Sequence, residues 1–314
     1  MILGQIPKLM GDQADIAAPK SIVLPQKSPR VKPAWFFLAA GVLSLCFFVP
    51  LRDLLHLAMS DDLYSDIPLI PIVSLYLLWQ KKEKLPYFSR PSWGIAALFF
   101  VAGLLVMAAY GLAASFIQFA VPDYLAINLF AFLLCLMGVC FALLGGEFVR
   151  AAAFPLGMLA FMIPLPEFVR QGAETFLQYG SAMVAELFFT ISGMPSDRDG
   201  ILFHLPGINL QVAPECSGIH SSMVLLILSL VAGYLCLRSS RCRWLLALAV
   251  IPLGLIRNGF RIFVIGQLCV RDGAQMLDSP IHRHGGPLFF VLSLILFFPL
   301  LLLLRKMERT DPKP

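Results

Sequence analysis

The side chains best suited to covalent chemistry lie in one short polar turn at residues 213–222, which contains Glu215, Cys216, Ser217 and His220. A strand-like segment precedes this turn, and a long apolar run follows it in a chain that is 59% hydrophobic. A cysteine thiolate attacks carbonyl carbons, and the positive amino-terminal end of a following helix lowers the pKa of a thiol. Ser217 is expected to cap that helix. The turn therefore predicts a nucleophilic Cys216 at the mouth of a membrane helix.

Two more polar clusters lie beside apolar runs. Arg257 and Arg261 are four residues apart and so share a helix face. Because a guanidinium in lipid costs about 2.5 to 3.5 kcal/mol, the pair indicates a polar partner or a wet cleft. His282 and His284 precede the last apolar run, and an imidazole there titrates near neutral pH. Together the three groups suffice for acyl transfer: the thiolate attacks a carbonyl, the imidazole moves the proton, and the cation stabilises the thiolate or the oxyanion.

Other roles for these residues stay open at the level of sequence. His220 follows Cys216 by four residues, so the two can meet on one helix face and His220 competes as the proton carrier. His282 and His284 could ligate zinc with Cys216 or His220, but two nearby arginines oppose a bound cation, and we expect no metal and no cofactor. The other six cysteines suggest no disulfide framework, because five lie in apolar runs and Cys242 lies in a basic loop.

The elements that must position these groups are membrane helices. The 314 residues have a mean hydropathy of +0.81 and only 14% charged side chains, which indicates an all-α integral membrane protein, since lipid cannot satisfy the backbone of open strands. We predict about eight transmembrane helices. They cover residues 34–51, 63–79, 93–117, 124–144, 151–163, 219–237, 244–256 and 287–304.

A different pattern fills the gap between the fifth and sixth apolar runs. Polar residues recur at steps of three or four over 167–191, which predicts an amphipathic helix suited to the membrane surface or to a polar cleft; they are Glu167, Arg170, Gln171, Glu174, Gln178 and Ser181. Two short apolar strands at 201–205 and 208–212, separated by Pro206 and Gly207, then predict a small β-hairpin that delivers the chain to Cys216.

The basic residues predict the orientation. If all eight segments cross, the Lys and Arg clusters fall on one side, so 1–33 and 305–314 are cytoplasmic tails of a polytopic membrane domain at 34–304. The amphipathic helix, the hairpin and the turn (167–218) then lie on the outer, periplasmic face of the plasma (inner) membrane. Cys216 is 22 residues from Arg238, roughly 33 Å of helix, which places it at the outer edge of the bilayer. The net charge of +5 reflects these topology clusters and not nucleic-acid binding.

Several motifs resemble the exosortase/archaeosortase family of membrane transpeptidases. Residues 213–218 contain a Cys-Ser-Gly sequence, the segment 258–261 (Asn-Gly-Phe-Arg) fits the family's Asn-x-x-Arg, and His282 with Gly286 fits its His-x-x-x-Gly. The segment 161–167 is also similar to the family's pattern before its long outer loop. The likeness covers roughly 151–290 well and the first four spans only in hydropathy.

The resemblance implies a Cys-Arg-His site on the outer face. Such a site cuts a C-terminal sorting signal, made of a short motif, a hydrophobic helix and a basic tail, and transfers the new carboxyl end to an acceptor. By position, Cys216 is the nucleophile, Arg261 the cation and His282 the histidine, with supporting roles open to four neighbours: Arg257, His284, His220 and Glu215. The implied partners are membrane-tethered substrate proteins, the lipid bilayer and a lipid- or polysaccharide-linked acceptor.

A second reading of the same residues belongs to another functional class. The protein could be a transporter or an assembly factor for an exported polysaccharide or lipid. In that case Arg257 and Arg261 would bind an anionic headgroup, and Cys216 would be incidental.

Overall fold

A computed structural model of the chain describes residues 33–86, 90–214, 217–273, 275–276 and 286–310. In chain order its α-helices are α1 (Pro33–Cys46), α2 (Phe48–Ser60), α3 (Leu69–Gln80), α4 (Trp93–Ala114), α5 (Val121–Leu143), α6 (Gly145–Ala151), α7 (Ala153–Met158), α8 (Glu167–Ser192), α9 (Ile219–Cys236), α10 (Ser240–Leu248), α11 (Val250–Asp272) and α12 (Gly286–Thr310). Three short 3₁₀ turns cover Asp62–Tyr64, Lys82–Lys84 and Leu159–Met162, and the strands are β1 (Asp197–Asp199), β2 (Leu202–Leu205) and β3 (Ile208–Gln211). Of the two predicted tails, 1–32 and 311–314 lie outside these residues, while 305–310 continue α12.

The all-α membrane class is confirmed, but the predicted count of eight spans is not. In the described part of the chain, five helices are long and apolar enough to cross: α4, α5, α9, α12 and the joined α10–α11 (Ser240–Asp272). The count rises to seven if two bent pairs each cross once. The segment predicted at 63–79 instead forms a 3₁₀ turn and the 12-residue α3. At about 18 Å, α3 is shorter than the roughly 30 Å hydrocarbon layer.

The first predicted span is bent rather than straight. α1 and α2 meet at Phe47 with an angle of 75°, and α2 continues through Asp53, where we expected a loop. Pro50 explains the position of the bend, because a proline lacks the backbone N–H and its ring clashes with the carbonyl four residues earlier, at Cys46. The helix therefore restarts within one turn before the proline.

The fifth and seventh predicted spans differ from their expected lengths in opposite ways. The fifth begins at the last residue of α6 and consists of α7 and the 3₁₀ turn at Leu159–Met162, followed by a 91° bend into α8. The seventh extends far beyond Ile256 to Asp272, and α10 and α11 together contain 33 residues. Pro252 does not stop it, because a proline is tolerated in the first turn of a helix. At about 50 Å, this helix is longer than the bilayer core is thick.

The amphipathic helix is confirmed as α8, which lies along α11 and runs in the same direction. Three close contacts between the helices each involve a glycine: Gly180 with Leu255, Val184 with Gly259 and Phe189 with Gly266. The residue numbers increase together along both helices, as they must in a parallel pair. A Cβ atom at Gly259 would lie 2.7 Å from Val184 Cβ. The missing side chains therefore allow α8 and α11 to pack closely.

The predicted hairpin is confirmed and belongs to a larger sheet. β2 pairs with β3 in antiparallel register, with Leu205 opposite Ile208, and β1 adds a third antiparallel strand that the sequence did not predict. β1 was missed because its three residues, Asp-Arg-Asp, carry no apolar alternation. A buried cluster joins the sheet to α8 and α11; it includes Phe189, Phe203, Leu205, Leu210, Val212 and Ile262. The chain leaves β3 from this anchored sheet and enters the polar turn.

Candidate active site

The structure describes part of the predicted site. Four of the proposed residues lie outside the described ranges: Glu215, Cys216, His282 and His284. The remaining three, Arg257, Arg261 and His220, are described, as are Pro214 and Ser217, which border the undescribed Glu215 and Cys216. The geometry therefore concerns the walls of the site and the two ends of the Cys-containing turn.

The turn is closed by hydrogen bonds at both ends. The buried side chain of Gln178 on α8 donates from Nε2 to the carbonyl of Val212 at 2.9 Å, and the N–H of Ser217 donates to the carbonyl of Pro214 at 2.9 Å. Gly218 then adopts a left-handed conformation with φ of +74°. A Cβ atom there would lie 2.5 Å from Arg257 Nη2, so only glycine fits both the backbone and the space.

One expectation about the start of α9 changes. The residue that precedes the helix is Gly218, and the Ser217 hydroxyl only accepts a long 3.4 Å bond from the N–H of Ile219. The helix begins at Ile219, so the spacing rule for helix faces does not reach back to residue 216. Cys216 lies outside the described residues, and its contact with His220 stays a prediction.

Two buried side chains of α11 support the turn from below. Arg257 is 3% exposed, and its Nη2 donates to the carbonyl of Gly218 at 3.1 Å. Asn258 is 1% exposed, and its Nδ2 donates to the carbonyl of Ser217 at 3.1 Å and to the Ser181 hydroxyl at 3.0 Å. An arginine keeps its charge in proteins, so Arg257 brings a buried positive charge against the residues that follow Cys216.

Arg261 lies in a different place from Arg257, although both belong to α11. It lines a cleft of about 550 Å³ together with Pro214 and Gly218, which lie two residues before and two residues after Cys216. The other lining residues are mostly polar: Ser60, Asp61, Asp62, Leu63, Arg170, Glu174, Ile219, His220 and Ser221. The structure thus brings Arg261, His220 and both flanks of Cys216 to one polar cleft, while Arg257 lies beneath the turn.

The polar stripe of α8 divides between two environments. Arg170 forms ion pairs with Glu167 at 2.5 Å and with Glu174 at 2.6 Å, so its charge is balanced within α8. Gln178 and Ser181 of the same stripe are buried instead and hold the turn and α11. The stripe faces the cleft at its amino-terminal end and the protein interior one turn later.

The partner of one cleft residue, His220, was missed from the sequence. His220 Nε2 lies 2.9 Å from Asp66 Oδ2, and the two residues are 154 positions apart. Asp66 follows the 3₁₀ turn, which is anchored by the buried Tyr64; burial raises the pKa of the Tyr64 phenol to about 12. No sequence signal pointed to Asp66, since an acidic residue beside an apolar stretch is common at membrane boundaries.

The described residues contain no group of three or more His, Cys, Asp or Glu side chains that could hold a metal ion. The proposed zinc ligands Cys216, His282 and His284 lie outside those residues, so the zinc alternative stays untested.

Comparison with known proteins adds a family to this geometry. A family model described as transmembrane exosortase (Exosortase_EpsH) matches residues 58–299, which include the turn, Arg257, Arg261 and most of α12. The match begins well before residue 151, where the motif resemblance became clear. No curated protein and no solved structure matches the chain. Because the family model covers most of the 314 residues, the chain belongs to the transmembrane exosortase family.

Proposed function

We propose that this protein is a membrane cysteine transpeptidase. It cleaves a C-terminal sorting signal of exported proteins, consisting of a short motif, a hydrophobic helix and a basic tail, and transfers the new carboxyl end to an acceptor through a thioacyl-enzyme. The observation that carries the proposal is the polar cleft in which Pro214 and Gly218, on either side of Cys216, face Arg261. Membership of the exosortase family supports the same reaction class.

The reaction has two covalent steps. In the first, the Cys216 thiolate attacks the scissile carbonyl, His282 gives a proton to the leaving amine, and the C–N bond breaks to leave a thioester. In the second, an acceptor amine or hydroxyl attacks the thioester carbonyl, loses its proton to a base, and the C–S bond breaks to restore the thiolate. Arg261 stabilises the thiolate and the tetrahedral oxyanions. The roles of Cys216 and His282 rest on the family resemblance.

We further propose that the cleft opens on the outer face and that both termini are cytoplasmic. Contacts between the basic segments support this orientation. Lys81 Nζ and the Arg243 guanidinium lie 5.0 and 5.6 Å from the centre of the Tyr234 ring, and Glu308 near the end of α12 accepts hydrogen bonds from the N–H groups of Arg238 and Ser239. Three basic segments thus meet at one end of the helices, and basic segments favour the cytoplasmic side.

The test uses a tailed substrate protein from the same genome, co-expressed with the enzyme, and follows loss of the tail on a gel. Cys216→Ser should abolish processing without lowering the amount of enzyme in the membrane. Arg261→Lys should reduce the processing rate by about 100-fold, because an ammonium lacks the planar fork of donors that a guanidinium offers an oxyanion. Cys46→Ser and Arg52→Lys are matched controls in exposed positions outside the cleft and should process normally.

Normal processing by Cys216→Ala would overturn the proposal. If Cys216→Ala were silent while Arg261→Glu blocked the export of a polysaccharide or lipid, the transporter or assembly factor would be the correct function.

A further inference from the structure

The Asp66–His220 pair has no role in the mechanism described so far, yet its histidine lines the same cleft. His220 is in the first turn of α9 and lines the cleft with Gly218 and Arg261. Its Nε2 lies 2.9 Å from Asp66 Oδ2, and the two side chains are 37% and 30% exposed. His220 is therefore a partly exposed side chain in the cleft, with Asp66 as its hydrogen-bond partner.

Backbone hydrogen bonds hold the segments that carry Asp66 and His220. The carbonyl of Asp66 accepts a hydrogen bond from the N–H of Leu69 at 3.0 Å, which fixes the turn before α3. The carbonyl of Gly218, just before the helix that carries His220, accepts from Arg257 and from the N–H of Ser222. The carboxylate and the imidazole thus meet from two independently anchored segments.

The orientation of the ring follows from the chemistry of its partner. An ionised carboxylate only accepts hydrogen bonds, so the Nε2 atom bonded to Asp66 carries the proton, and Nδ1 keeps a lone pair. A neutral imidazole held in one tautomer by a carboxylate is the arrangement that general bases use in acyl transfer, because the carboxylate also stabilises the imidazolium that forms.

We propose that His220, oriented by Asp66, is the base of the second half-reaction: it takes the proton of the acceptor amine or hydroxyl as that group attacks the thioester. This inference rests on the proposed transpeptidase function. The bond from the acceptor atom to the carbonyl carbon forms, the C–S bond breaks, and the acceptor proton moves to His220 Nδ1. Water then removes this proton from His220 and returns one to His282.

A physical reason favours two separate proton carriers. The amine that leaves in the first step belongs to a hydrophobic helix, which stays in the bilayer after cleavage because about 20 apolar residues hold it there. The acceptor can therefore reach the position beside His282 only after that helix has diffused away. A second base on α9, held by a residue from the segment before α3, allows the acceptor to be deprotonated without waiting for that position to clear.

The surrounding charges suit this role. Arg261 shares the cleft with His220, and Asp66 contacts the imidazole ring directly. Two further carboxylates, Asp61 and Asp62, lie in the same cleft, and Glu174 is paired with Arg170. Asp66 is the carboxylate that the described structure places in hydrogen-bond contact with His220.

The experiment separates the two half-reactions in the purified full-length enzyme in detergent. A substrate with a fluorescent tail reports acylation as tail release, and a label before the cleavage site reports the thioester and its loss to an added amine acceptor such as glycinamide. His220→Gln should form the thioester at a rate close to wild type but transfer it at least about 100-fold more slowly, the size of a lost general base. Asp66→Asn should act in the same direction, since an amide can keep the contact yet favours the opposite tautomer.

Two further measurements test the chemistry rather than the structure. Hydroxylamine, an amine that is unprotonated at neutral pH, needs no base and should release the thioester of His220→Gln at nearly the wild-type rate. His204→Gln and Asp53→Asn are matched controls, because His204 is paired with Asn209 on the sheet and Asp53 with Arg52 on α2, both outside the cleft. Both should transfer normally.

The inference is overturned if His220→Gln transfers the thioester normally, or if acylation and transfer fall by the same factor without hydroxylamine rescue, as a purely structural contact would cause. Failure of the proposed function looks different. In that case the wild-type enzyme forms no thioester, or Cys216→Ala still releases the tail.

Discussion

Two helix pairs of this molecule, α4–α5 and α8–α11, both pack closely but differ in the polar side chains that they bury. In the α4–α5 pair, small residues allow the approach: a Cβ atom at Gly103 would lie 2.7 Å from Cys135 Sγ, and one at Gly138 would lie 3.0 Å from the Phe100 ring. In the α8–α11 pair, Gly259 meets Val184 in the same way. Close approach through small residues is therefore a general device of this fold and does not mark the site.

The regions differ in their buried polar groups. Of the nine polar or charged side chains buried in the described residues, five surround the Cys-containing turn: Gln178, Ser181, Ser217, Arg257 and Asn258. The α4–α5 pair has Asn128, whose amide donates to the carbonyl of Tyr124 in its own helix at 2.8 Å. Asn258 instead joins α11 to α8 and to the turn. Because a buried polar group is costly without a partner, such a cross-linked network indicates a segment whose geometry must be held.

The largest effect is expected at the turn itself. Gly218→Ala adds a Cβ atom 2.5 Å from Arg257 Nη2 to a residue with φ of +74°, so the turn and the buried arginine must both move. A displacement of about 1 Å in an active site costs about 100-fold in rate, and we expect at least this loss of substrate processing. Gly193→Ala is the control, since Gly193 has φ of +73° and open space around it. That variant should lose a little stability and keep its processing rate; equal losses in both would show that backbone strain alone matters.

A smaller effect is expected when the two buried asparagines are compared. Asn258→Ala removes hydrogen bonds to Ser217 and Ser181 and leaves a buried carbonyl with one donor fewer, which costs about 1 to 3 kcal/mol and should slow processing about tenfold. Asn128→Ala removes one bond inside a helix whose backbone is already paired, so activity should be unchanged. The measurement is the processing rate at matched membrane levels of both variants. Similar rates in the two would contradict a special role for the network.

The smallest effect concerns helix packing. Gly259→Ala places a methyl group 3.0 Å from the backbone nitrogen of Ala185, which cannot move aside easily, and overpacking of this kind costs about 1 to 3 kcal/mol. Gly111→Ala on α4 meets open space and should be neutral or slightly stabilising. Thermal unfolding of both variants in the same detergent measures the difference. A Gly259→Ala variant as stable as Gly111→Ala would show that α8 and α11 can separate without loss.

Much of the fold could be predicted because a membrane helix requires a long run of apolar residues, which is visible in the sequence. The apolar runs of α4, α5 and α9 were predicted to within a few residues, α8 by its polar period, and the hairpin by its Pro-Gly turn. The errors are the bend at Phe47, the extension of α11 to Asp272, and the polar strand β1. The bend has a local cause in Pro50, whereas contacts with other segments decide how far α11 continues and whether β1 pairs.

For the site, the sequence by itself determined which residue types could act. The polar turn, the arginine pair four residues apart and the motif spacing singled out the turn at 213–222 and one segment of α11. Helix spacing alone could not tell Arg257 from Arg261, since both lie on one helix face, and only the resemblance to the Asn-x-x-Arg motif selected Arg261. The tertiary structure separates them, because Gly218 has no side chain and leaves room for Arg257 beneath the turn while Arg261 lines the cleft. Only the tertiary structure brings Asp66 to His220, which is 154 residues away in the sequence, because no local sequence pattern predicts a contact between distant segments.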